Sequence, residues 1–77
     1  MDYKYLNTLL MNEFADVVTY ATLAKDSEGV ESQILRDIAR EEFVHAKHLK
    51  NILKESGELM EGYQTVEDNA TKALESV

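Results

Sequence analysis

Apolar residues along this chain recur at intervals of three and four, the signature of helices that bury one stripe. From about Asp2 to Lys25, Leu6, Leu10, Val17 and Ala24 fall on one such seam. Asp2 stands where an N-cap belongs, and Lys25-Asp26-Ser27-Glu28-Gly29 reads as a turn. A second helix is expected from about Val30 to Lys54, with Ile34, Ile38, Leu49 and Ile52 on one face and Gly57 at its C-terminal cap. At about 1.5 Å per residue each helix is roughly 35 Å long, and the short connection makes the two antiparallel neighbours. Thr65-Val66-Glu67-Asp68 has the composition of a helix start, with Val66, Ala70, Ala73 and Leu74 supplying a small apolar face. The expected fold class is all-α: a helical hairpin over residues 1–56, then a loop and a short C-terminal helix over 57–77.

One hairpin does not use up this apolar surface. Met11, Phe14 and Val18 widen the first helix's arc on one side of the seam, and Leu9 and Leu23 widen it on the other. A helix with one neighbour needs a narrow stripe, whereas a bundle helix between two neighbours needs a broad one. The hairpin is therefore expected to pair with a second copy as a homodimeric four-helix bundle. Phe43 is expected to point outward and to mark a contact between dimers. Arg36, Arg40, Lys47, Lys50 and Lys54 are expected to form a solvated outer face.

Composition agrees with pairing. A domain of 77 residues hides only about 60% of its unfolded surface, so small chains of this kind gain from partners. No cysteine is present, which excludes disulfides, iron–sulfur ligation, thiolate zinc sites and cysteine nucleophiles. Eight basic residues against fifteen acidic give a net charge of −7, which weighs against nucleic acid and anionic membranes as partners and favours cations. No segment approaches the roughly 18 apolar residues of a membrane span, and no basic-then-apolar leader opens the chain. A cytoplasmic location is the resulting expectation. Proline is absent, and a 44% hydrophobic content argues for a folded helical domain over disorder.

The candidate chemistry lies where polar residues interrupt the seams. Continued through positions 6, 10, 13, 17, 20 and 24, the first seam contains Glu13 and Tyr20. Continued through 38, 42, 45, 49 and 52, the second contains Glu42 and His45. A carboxylate buried without a partner is strongly unfavourable, so each of these residues requires compensation. With the turn centred near Glu28, Glu13 lies 15 residues before it, and Glu42 and His45 lie 14 and 17 after it. An antiparallel hairpin brings all three to one height. Glu42 and His45 form a Glu-x-x-His pair, spaced to aim both heads at one point, and a two-fold dimer would gather four glutamates and two histidines. Such a donor set suits iron or manganese better than structural zinc. Glu41, His48 and Asp16 lie off the seam and read as surface residues. Tyr20 is open between an amphipathic residue at the bundle edge and a hydrogen-bonding partner of the site.

The stretch Asn12-Glu13-Phe14-Ala15-Asp16-Val17-Val18-Thr19-Tyr20-Ala21 is similar to the Glu followed seven residues later by Tyr in ferritin-like, rubrerythrin-type di-iron proteins. Ile38-Ala39-Arg40-Glu41-Glu42-Phe43-Val44-His45-Ala46-Lys47-His48-Leu49 resembles that family's Ile-Ala-x-x-Glu-x-x-His-Ala-x-x-Leu pattern. The resemblance covers roughly residues 6 to 53 and implies Glu13, Glu42 and His45 as metal ligands. It further implies Tyr20 as a hydrogen-bond partner of a ligating carboxylate, and two iron ions per dimer, with manganese as the alternative metal. The activity implied is oxidation of Fe(II) by O2 or hydrogen peroxide, as a ferroxidase or a rubrerythrin-like peroxide scavenger. This chain carries one half of the bundle and no cysteine-bound rubredoxin module, which leaves the electron donor unknown. Its single hairpin is similar to the ferritins housed in encapsulin shells, which adds a protein shell as an expected partner and location. The rival readings are a non-catalytic acidic helical interaction module, whose polar residues fix pairing register, and an iron-storage protein without turnover.

Overall fold

Asp2 starts the first helix as its position in the sequence predicts: its Oδ1 accepts a hydrogen bond from the Tyr5 amide at 3.0 Å. In the computed structural model, which describes residues 1–77, this helix, α1, runs Tyr3–Lys25. The chain then reverses through Gly29, whose φ of +61° favours glycine, and continues as α2, Gly29–Glu55. Ser32, buried near the start of α2, donates its hydroxyl to the Ala24 carbonyl at 2.8 Å and ties the two helices together beside the turn. At the far end Gly57 takes φ +72°, while Glu58 N–H donates to Leu53 O at 2.9 Å and Gly57 N–H to Lys54 O at 3.2 Å. These are the two bonds of a Schellman cap, so Gly57 ends α2 as its sequence position predicts.

The third helix, α3, spans Tyr63–Glu75. It begins two residues before the expected Thr65, because Gly62 at φ +85° turns the chain sharply and no side-chain cap is used. Asn7 of α1 holds the connection. Its amide nitrogen donates to the Glu58 carbonyl at 2.9 Å, and its amide oxygen accepts from the Met60 amide at 2.9 Å. The fold is therefore all-α, with two long antiparallel helices and a short third helix lying mainly on α1.

The core joins Leu10, Phe14 and Val17 of α1 to Ala46 and Leu53 of α2 and Ala70 of α3. The first-helix seam is as expected, with Leu10, Val17 and Ala24 buried. The second-helix seam is rotated. Ser32, Ala39, Ala46 and Leu53 are the buried stripe, whereas Ile34 is 54% and Ile52 42% exposed. Small residues at 21, 24, 39 and 46, all buried, let the two backbones approach closely, which is why alanines rather than the larger isoleucines line the contact.

This rotation corrects two sequence expectations. Phe43 does not point outward but packs against the core, its ring 6.0 Å from that of Phe14 at an interplanar angle of 61°. Lys47 and Lys50 do not lie on a purely solvated face, because α3 covers that side and pairs both with Glu67. The breadth of the α1 apolar arc thus has two explanations. Val18 and Phe14, on one flank, pack in the part of the core that α3 helps to close. On the other flank Leu23 remains 47% exposed. Ile34, Ile38, His45 and Ile52 share a stripe of α2 at helical spacing, so this open face and the polar seam residues coincide. No helix is long and apolar enough to cross a membrane.

Candidate metal centre

The hairpin turn sets the height of the site and the helical repeat sets its direction. Glu13 from α1 and Glu42 and His45 from α2 each present a ligand atom, and these atoms all lie within 4.8 Å of one another. The register counted from the turn is therefore the register of the fold. Glu42 and His45 are one helical turn apart, with Glu42 Oε1 3.9 Å from His45 Nδ1, too long for a hydrogen bond. Glu13 and Glu42 are half-buried, whereas the His45 side chain is 57% exposed at the rim.

Two carboxyl groups at such close range cannot both ionise without strain. A hydrogen bond to the Glu13 carboxyl, then burial, then the negative charge of Glu13 raise the Glu42 pKa above the usual carboxylate range; His45 opposes the shift. If both groups are ionised, Glu13 Oε2 is a buried acceptor without a donor. Buried polar atoms nearly always find partners, so this one marks a place where something else is expected to bind. Two hard oxygen donors and an imidazole fit a divalent first-row cation such as iron or manganese.

Of the other polar residues on these helices, Tyr20 is half-buried on α1 and its hydroxyl makes no hydrogen bond within the chain. Glu41, His48 and Asp16 are exposed and stand outside the cluster, as their off-seam positions predict.

Behind the carboxylates lies an arrangement that the sequence reading did not find. Phe14 and Phe43, the residues immediately after Glu13 and Glu42, meet edge to face, Phe14 within the core and Phe43 packed against it. Lys47 Nζ sits 5.1 Å from the centroid of Phe43 and donates to Glu67 Oε2 at 2.9 Å. Lys50 Nζ sits 4.9 Å from the centroid of Tyr63 and donates to Glu67 Oε1 at 2.7 Å. Glu67 is only 7% exposed. Despite its burial, the two lysines hold its carboxyl below the ordinary pKa. The available signal was an acidic residue, Glu67, spaced three and seven residues from Ala70 and Leu74 on the apolar face of the third helix, together with the basic stripe of the second.

Searches of curated proteins and of solved structures each find no match. The family model described as Rubrerythrin matches residues 4–76, nearly the whole chain. Together with the Glu and Glu-x-x-His cluster at one height of an antiparallel helical pair, this match establishes that the chain belongs to the rubrerythrin family.

Proposed function

We propose that this protein is a non-haem di-iron oxidoreductase that oxidises Fe(II) with O2 or hydrogen peroxide. Its site is completed when two copies pair through the open face of the hairpin. The observation that carries this reading is the convergence of Glu13, Glu42 and His45, with the buried, unpartnered Glu13 Oε2 among them. Glu13, Glu42 and His45 would hold the iron, the carboxylates through oxygen and the imidazole through nitrogen, and the iron would supply the redox chemistry. The chain's own part is electrostatic and geometric. Its carboxylates favour the more highly charged ferric state, and its helices hold them at one level. Resemblance to the family would give Tyr20 the support of a ligating carboxylate, a contact its hydroxyl does not make within one chain. Manganese is the alternative occupant, and the electron donor is a separate protein or small molecule.

Two observations support pairing. A single copy offers too few donors for two ions, and the exposure of His45 at the rim leaves it open to a second hairpin. Anaerobic titration with Fe(II) tests the reading. About one ion per chain is expected, equivalent to two per dimer, with binding lost in Glu42→Ala. Subsequent exposure to O2 or peroxide should then oxidise the iron with saturation kinetics. Saturable binding without turnover would make the protein an iron store. Absence of binding would leave the three residues as register-fixing polar groups of an interaction module.

A further inference from the structure

We infer that Glu67, on the helix that carries no candidate ligand, positions the two metal-binding carboxylates from behind. This rests on the metal reading of Glu13, Glu42 and His45. The path is continuous. Glu67 fixes the Lys47 ammonium at 2.9 Å, Lys47 lies 5.1 Å over Phe43, and Phe43 meets Phe14 at 6.0 Å between centroids. Each aromatic residue is covalently next to a carboxylate of the site, Phe14 to Glu13 and Phe43 to Glu42. The edge-to-face pair therefore sets how far apart α1 and α2 stand at the level of the ligands, and how each helix is rotated there.

Glu67 suits this task because it is buried and doubly held. Its second oxygen accepts from Lys50, one turn beyond Lys47 on α2, so α3 grips α2 at two points just below the Glu-x-x-His turn. An ammonium above an aromatic face is attracted by the ring's negative quadrupole, and the carboxylate orients Lys47 there although its side chain is 45% exposed. Mutating residues that orient ligands typically costs about 10- to 100-fold in metal affinity. Here the orientation is exerted through packing, and α3 becomes part of the site without touching it.

Glu67→Gln keeps the shape and removes the charge. Titration of wild type and variant with Co(II), read by its visible absorption, reports affinity and coordination geometry without turnover. Glu67→Gln should bind about tenfold more weakly with an altered visible band. Glu67→Asp should restore part of the affinity. In a Phe43→Leu background Glu67→Gln should add little, because the path is already cut. Leu74→Ala, a packing defect elsewhere on α3, supplies the comparison at matched loss of melting temperature. If Leu74→Ala weakens binding as much as Glu67→Gln, or if Glu67→Gln binds as wild type does, the positioning role is overturned. If wild type itself fails to bind Co(II) and Fe(II), the metal reading fails and this inference falls with it.

Discussion

Glu42, half-buried, and Glu67, buried, are carboxyls whose environments push them in opposite directions, and the pH dependence of stability should separate them. Glu42, facing Glu13, has a folded pKa raised above the ordinary 4.5, so the folded chain binds its proton more tightly than the unfolded chain does. That contribution is fully present below 4.5 and is lost as pH rises through the folded value. Glu67, between Lys47 and Lys50, has a lowered pKa. Its contribution is present above 4.5 and is lost as pH falls through the folded value. In urea melts of the metal-free protein between about pH 3 and pH 7, Glu42→Gln should remove the decline above 4.5. Glu67→Gln should remove the decline on the acid side. A metal-free Glu42→Gln whose profile matched wild type above 4.5 would contradict the repulsion between the two site carboxyls.

At the scale of elements, the parts most legible in the sequence were those set by local geometry. Asp2 caps α1, Gly57 caps α2, and the count from Glu28 places Glu13 level with Glu42 and His45. A short turn between rigid helices leaves little freedom to shift that register. The rotation of α2 was not legible. Periodicity gave greater weight to the larger isoleucines, whereas close packing chose Ala39 and Ala46 and left Ile34 and Ile52 outside. Phe43 and the Lys47–Glu67–Lys50 cluster were missed for a related reason. They depend on where α3 docks, and pairs 17 and 20 residues apart across a bend leave no periodic trace. The bend itself can be tested. A Cβ at Gly62 meets no atom within 4 Å, so the effect of Gly62→Ala comes from its φ of +85° alone. The substitution should lower stability by about 1 kcal/mol, measured by thermal or urea unfolding, with helix content retained. A loss well above that would mean the bend has a steric role that the open surroundings do not suggest.

At the scale of the whole molecule the hairpin has two dissimilar sides. One is closed by α3 and carries the lysine–glutamate cluster; the other exposes Leu23, Ile34 and Ile52 around the candidate ligands. A second copy added to the open side would bury those residues and multiply the donors, and this argues for a two-fold, self-complementary contact. Ile34→Glu combined with Ile52→Glu should shift the sedimenting species from dimer to monomer and remove tight metal binding, while Glu13, Glu42 and His45 remain unchanged. A double variant that sediments as wild type would place the contact elsewhere. The exposed isoleucines also bear on the fate of a newly made chain. If two copies pair through this face as proposed, an unpaired copy would display sticky surface to chaperones and proteases, and chains in excess of partners would be the ones removed. On that proposal assembly and survival would be joined in the same three side chains, and cellular abundance would depend on the open face as much as on the gene's expression.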